Sequence, residues 1–322
     1  MRTAFTELVG CTAPVQLAAM PAVSGPKLVA AVANAGGLAM SGAPLAEPDQ
    51  LVRHFRQLRE MTDGAIGVNF LMPFFRPDCL EAVVEMVRVV EFFYDWPDAA
   101  LIETVHRADA LAAWQVGSAA EATAAVEAGI DFLIVQGTEA GGHVRATASL
   151  LPLLGTVLDQ VTVPVLAAGG IATGRDLAAV LAAGAAGARV GTRFLVSAES
   201  DAHPDYLDRL LAADASDTVL TEAFSVMWPN APHRVLASAV DAAQALAGQE
   251  TIGEMLVDDT RVPVPRLSVF PPSRGATGHV EAMALYAGES VASIRTVEPA
   301  AAILAELVDG AARALRRATD LA

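Results

Sequence analysis

In the stretch 130–143, "IDFLIVQGTEAGGH", a short apolar run ends in a polar, glycine-bearing turn. The turn holds Gln136, Thr138, Glu139, Gly141, Gly142 and His143. An imidazole takes or gives a proton near neutral pH, and a side-chain amide both donates and accepts hydrogen bonds. Paired glycines let backbone approach a ligand, because no Cβ stands in the way. The plainer alternative is a loop whose histidine caps something locally.

Two later stretches repeat the pattern. "AAGGIATG" (167–174) follows an apolar run and precedes a helix expected from Thr173. "RVGTRF" (189–194) closes the next run. Both present glycine-framed amides where helices begin, and helix N-termini attract anions through free N–H groups and the dipole. The expectation is a phosphate held near Gly169, Gly170, Gly191 and Thr192; the alternative is glycines that only permit tight turns. Asn69, Gln136 and His143 end other runs. Their polarity suits a ligand with a phosphate at one end and a hydrogen-bonding ring at the other, such as FMN. No metal site is expected, since His143 has no second histidine or glutamate at ligand spacing.

The elements that must position these residues alternate regularly. Short apolar runs at 14–19, 38–41, 65–70, 89–94, 110–116, 132–135, 163–168 and 186–190 read as strands. Because they do not alternate with polar residues, they are expected to be buried on both faces in a parallel sheet. Helices are expected at 27–35, 48–61, 79–86, 97–105, 118–129, 147–160 and 173–183, with Ser118 and Glu121 forming a capping box. Eight βα units predict an α/β fold, a (β/α)8 TIM barrel, where phosphate sites commonly follow strands seven and eight. An open doubly wound sheet would carry G-x-G-x-x-G after its first strand, and none occurs there. After 214 the rhythm changes, and prolines 263, 265, 271 and 272 speak against regular structure at 262–277. The expected organisation is a barrel at 1–214, a small, mainly helical cap at 215–290 over one mouth, and a closing segment at 291–322, helical over 297–321.

Composition bounds the class. The chain has 322 residues, enough for one large domain with an appendage. Its net charge of −16 argues against a nucleic-acid partner. Two cysteines, Cys11 and Cys79, imply no disulfide framework. Neither a signal-peptide start nor an unbroken apolar window of ~18 residues is seen, so no membrane association is expected and a cytoplasmic enzyme is the default class.

"VQGTEAGGH", "VPVLAAGGIATG" and "GTRF", in this order and spacing, resemble the nitronate monooxygenase family, once called 2-nitropropane dioxygenases. "PVQLAAM", "AAVANAGGLAMSGA", "GVNF" and, weakly, "YAGESVASI" add to the likeness. The resemblance implies an FMN-dependent barrel with a helical lid. It implies flavin contacts at Ala19, Met20, Asn69, Gln136, Gly141, Gly170 and 189–192, with Gly142 and Gly169 in the same turns, and a substrate-side His143 acting as base. Two positions depart from the family: Arg189 stands where members often carry glutamine, and Glu289 where they often read glutamine after glycine. Arg189 either pairs with the phosphate or points away.

The reaction this implies is oxidation of alkyl nitronates by FMN and O2 to a carbonyl compound and nitrite. An NAD(P)H-dependent reductase of a quinone or enoyl thioester is the alternative, and a flavin-binding sensor or assembly subunit a third. A homodimer is left open. Phe92, Phe93, Tyr94 and Trp96 are candidates for the pocket wall or for core. His54, His106, His203, His233 and His279 read as surface or capping residues, with His279 the one that could face the flavin from the cap.

Overall fold

The computed structural model describes residues 1–43, 45–257 and 260–319. The strands before the chemistry-bearing turn are β1 (Val15–Leu17), β2 (Leu38–Gly42), β3 (Ile66–Leu71), β4 (Val89–Phe93), β5 (Leu111–Val116) and β6 (Phe132–Gln136). A two-residue β7 (Gly142–His143) leaves the barrel, which resumes with β8 (Val165–Ala168) and β9 (Gly187–Val190). The eight barrel strands run β1-β2-β3-β4-β5-β6-β8-β9, and β9 pairs back in parallel with β1. The expected TIM barrel is therefore the observed fold.

Valine-, leucine- and alanine-rich runs form these strands because each is covered on both sides. Outward residues such as Val68, Val90 and Leu133 pack under the surrounding helices. Inward residues such as Leu38, Met40, Val89, Phe132 and Leu166 form a separate interior cluster. An N-terminal helix, Ala4–Val9, was not expected from the sequence; Phe5 sits edge-on to Phe132 at 5.5 Å and closes the lower end of that cluster.

Most expected helices appear with small shifts, including Leu150–Leu158 despite Pro152 and Gly155. Ser118 caps its helix by accepting from the Glu121 N–H at 3.2 Å. The reciprocal half of the box is absent: the Glu121 carboxylate takes the Gly117 N–H at 2.7 Å and pairs with Arg145. Ala300–Thr319 packs its apolar face on the barrel, and Gly174 and Gly310 let two helices meet at backbone distance. The expected end of that helix at Leu321 lies outside the described residues. Among the described residues, no helix is long and apolar enough to cross a membrane.

The expectation of a mainly helical segment at 215–290 is corrected. Its described residues hold one α-helix, Ala237–Ala245, and the strands β10 (Thr218–Thr221), β11 (His233–Leu236), β12 (Thr251–Val257), β13 (Thr260–Pro265) and β14 (Thr277–Gly278). Pro263 and Pro265 sit in β13, an edge strand of the order β13-β12-β14, where a residue lacking N–H costs no ladder bond on its open side. The other small sheet, β10-β11-β7, reaches back to the chemistry-bearing turn, with His233 opposite His143. A second hydrophobic core, with Leu195, Tyr206, Leu210, Phe224, Val235 and Leu285 among its members, joins these strands to the helix Pro204–Ala212.

Candidate functional site

The upper interior of the barrel is polar. Register pairs Gln16 of β1 with Arg189 of β9, and Asn69 of β3 with Glu91 of β4. Glu91 is fully buried. Its carboxylate accepts from Gln16 Nε2 at 2.9 Å, from Asn69 Nδ2 at 2.7 Å and from Arg189 Nη1 in a close ion pair. A buried carboxylate persists as an ion only with this kind of compensation. Arg189 thus turns into the barrel toward Glu91, which settles what it does where the family often has glutamine. Asn69 has one amide hydrogen committed to the same carboxylate.

Above this network lies a cavity that is open at the mouth. Its wall includes every candidate contact read from the sequence: Ala19 and Met20 after β1, Asn69, Gln136, then Gly141, Gly142 and His143, then Gly169 and Gly170 after β8, and Arg189, Gly191 and Thr192 at the end of β9. Gln115 on β5, which sequence reasoning missed, lines it as well. The side-chain oxygens of Gln115 and Gln136 are buried and have no protein partner.

The glycine turns differ in what they require. Gly169 and Gly170 have φ of 109° and 70°, a region where a Cβ is strained. At Gly191 a Cβ would meet only Ala18 and Met20, at 3.6 and 3.7 Å, so its bareness serves the cavity and not the chain. Gly141 is different: a Cβ there would lie 2.6 Å from the Gly288 nitrogen, so its smoothness is used by the "YAGES" segment. That segment is fixed further by Gly288 N–H donating to Thr192 Oγ1 at 3.0 Å. Glu289 pairs with Arg234, and its N–H donates to the Glu139 carbonyl at 3.0 Å. The second departure from the family thus fastens a loop joint and does not line the cavity.

The helix end at Thr173 is not free for an anion. Asp176 already accepts from the N–H groups of Ala172 and Thr173, at 3.0 and 2.8 Å. What remains for an anion are the loop N–H groups of Gly169, Gly170, Gly191 and Thr192, which donate to no protein acceptor among the described residues. The helix end at Thr173, part of the expected phosphate position, is thus already occupied by Asp176.

His143 stands at the mouth. Gln136 Nε2 donates to its backbone carbonyl at 3.0 Å. Its ring stacks on Trp228 with centroids 3.9 Å apart and planes 19° from parallel. His233 and Tyr286 lie at 5.2 and 5.7 Å, and the edge of Tyr94 at 6.1 Å. Burial, then the neighbouring His233, pull the His143 pKa down to about 3. Its Nε2 is buried without a partner.

His233 is fully buried, which corrects its reading as a surface residue. It accepts the Phe224 N–H at Nε2, 3.2 Å, and sets Nδ1 against the Ala231 carbonyl at 2.8 Å, a pattern that only one neutral tautomer satisfies. Burial is also the main cause of its lowered pKa. His279 pairs with Glu281 and lies outside the cavity wall. His54 meets Ser41 Oγ at 2.7 Å, His106 meets Asp131 at 2.8 Å, and His203 caps a helix. Of the aromatic run, Phe93 lines the cavity, Tyr94 reaches the histidine, Phe92 stacks in the core on Trp114, and Trp96 is exposed.

The nitronate monooxygenase family model matches residues 2–82 and 75–310. A Rhodococcus jostii protein named (3aS,4S,5R,7aS)-5-hydroxy-7a-methyl-1-oxo-octahydro-1H-indene-4-carboxyl-CoA dehydrogenase is 40% identical over 73% of this chain. The match spans 66% of that relative's length. A Staphylococcus saprophyticus protein named "Probable nitronate monooxygenase" is 34% identical over 69% of this chain and 76% of its own length. Among solved structures, FabK from Thermotoga maritima superimposes over 100% of both chains with TM-score 0.84 at 29% identity. Nitroalkane oxidase from Streptomyces ansochromogenes follows over 98% of this chain and 100% of its own, with TM-score 0.78 at 29% identity. With the family model spanning most of its length, the chain belongs to the nitronate monooxygenase family.

Proposed function

We propose that this protein is an FMN-dependent oxidoreductase that converts alkyl nitronates, and nitroalkanes after removal of a proton by His143, to a carbonyl compound and nitrite with O2. The observation that carries this reading is a neutral His143, its ring held against Trp228, on the wall of a cavity whose other groups suit a flavin. Those groups are complementary to FMN: loop N–H donors at Gly169, Gly170, Gly191 and Thr192 for one phosphate, and amide oxygens of Gln115 and Gln136 for ring N–H groups. When bound, FMN supplies electron acceptance from the substrate and reaction with O2.

The chain's residues do the rest. Gln136 holds the backbone of His143, and Trp228 holds its ring. Burial keeps the imidazole neutral, so one of its two ring nitrogens carries a lone pair. Taking a proton from a carbon acid creates an imidazolium beside a new anion, and that anion offsets the burial that otherwise opposes the charge. The apolar wall of Leu71, Phe74, Phe93 and Val269 excludes water from the step. In this reading 215–290 is the lid and 291–322 the segment that secures the barrel. Nitrite release from ethyl nitronate, with matching O2 uptake, tests the proposal.

A second reading is chemistry on a CoA thioester, including NAD(P)H-dependent reduction of an enoyl thioester. It is favoured by the relative named as a CoA dehydrogenase at 40% identity. Nitrite from a nitronate separates the two.

A further inference from the structure

We infer that Trp228 is a positioning and specificity-determining residue: it covers one face of the His143 imidazole, so that a substrate meets this ring only from the side that Trp228 leaves open. The inference rests on reading His143 as the base.

Four distant parts of the chain build the arrangement. Trp228 lies in the lid loop between β10 and β11, while His143 is carried by the turn after β6. The near-parallel stack at 3.9 Å leaves no room for a third group between the two rings. Trp228 is itself braced edge-on by Tyr94 from the end of β4, at 4.6 Å, and by Phe74 after β3, at 5.2 Å. It is only 6% exposed, so it is wall and not rim.

The backbone beside this cluster is strained. Tyr94 has φ 79° and Met227 φ 78°, left-handed values that residues with a Cβ seldom adopt. Such conformations persist where the surroundings over-determine them, and they gather at sites where side-chain placement matters. Here one sets Tyr94 against the side of the Trp228–His143 stack, and the other presents Trp228 to the histidine.

The lone pair of an imidazole nitrogen lies in the ring plane. With one face sealed by the indole, a carbon acid gives up its proton to the ring only along that plane, beside Trp228. Bulk on the reacting carbon meets the indole first. Trp228 thus selects slender substrates and fixes the ring for those it admits.

The test compares the flavin-loaded wild type with Trp228→Phe, Trp228→Leu and Trp228→Ala. The first readout is carbethoxylation of His143 by diethyl pyrocarbonate, followed by peptide mass spectrometry, with the more exposed His106 and His279 as internal references. Wild type and Trp228→Phe are expected to modify slowly at His143, and the Leu and Ala variants severalfold faster. The second readout is kcat/KM on nitroethane against nitrocyclohexane. Trp228→Ala is expected to lose roughly 10²-fold on nitroethane through a misplaced base, and less on nitrocyclohexane; Trp228→Phe should retain the wild-type preference. If Trp228→Ala does not fold, Trp228→Leu carries the comparison. Unchanged His143 modification in Leu and Ala variants that keep their flavin would overturn the inference. A wild type inactive on both nitroalkanes counts against the proposed reaction, and the modification assay still decides the role of Trp228.

Discussion

The side-chain amide of Gln136 donates to the backbone carbonyl of His143 at 3.0 Å, so the last residue of β6 holds the histidine seven positions later. The same residue lines the cavity, and its side-chain oxygen is buried without a protein partner. One amide thus ties the candidate base to the candidate flavin position.

His143→Asn removes the base and keeps a polar side chain. A general base contributes typically ~10²–10⁴-fold to a proton-transfer step, and a nitronate no longer needs that step. The variant is expected to lose neutral nitroalkane turnover by that order and nitronate turnover far less, with flavin still bound. Steady-state rates on both substrates, with occupancy read by absorbance, check this. Equal small losses on both substrates would remove His143 from proton transfer.

Gly191→Val tests the phosphate position more cleanly than any change at Gly170. Its φ of −111° is negative, and a Cβ there would meet only Ala18 and Met20, at ordinary contact distance. The fold should therefore survive while flavin retention drops. Thermal unfolding of the flavin-free protein and flavin content after gel filtration separate the two effects. Gly170→Val, at φ 70°, should damage both.

The Glu91–Arg189 pair predicts an asymmetry. Glu91→Gln leaves a guanidinium buried and unable to lose its proton, which costs about 3–5 kcal/mol. Arg189→Gln leaves a carboxylate that still accepts from Gln16 and Asn69, so its cost is smaller. The double variant should be more stable than Glu91→Gln alone. Urea unfolding midpoints at neutral pH give the order.

Much of this was legible in the chain. Barrel strands announce themselves as apolar runs because both their faces are covered, and Gly169 and Gly170 because only glycine suits their backbone. Glu91 was hidden, since a single charge in "VVEFF" reads as ordinary alternation until closure sets it opposite Arg189, nearly a hundred positions away. Trp228 and His233 were hidden for the same reason: their partner His143 is brought to them by the pairing of β7 with β11. Among the lid strands, β13 was missed because an edge strand tolerates the prolines that argue against a strand in the interior of a sheet.

Acid should destabilise the protein through its buried histidines. His143 is lowered to about 3 in the folded state, against about 6.5 unfolded, and His233 is lowered too. Between those values the unfolded chain binds more protons, so this contribution is full above pH 6.5 and is lost as pH falls toward 3. The urea midpoint is expected to fall over that window, and less steeply in His143→Asn.

The most direct measurement is the absorbance spectrum of the purified protein, followed without oxygen as ethyl nitronate is added and then with air admitted. The account predicts a yellow protein that releases FMN on denaturation, bleaches with the nitronate, and on aeration regains its colour with nitrite in solution. A colourless protein that takes up no FMN, or a flavin indifferent to nitronate but bleached by NADH, would contradict it.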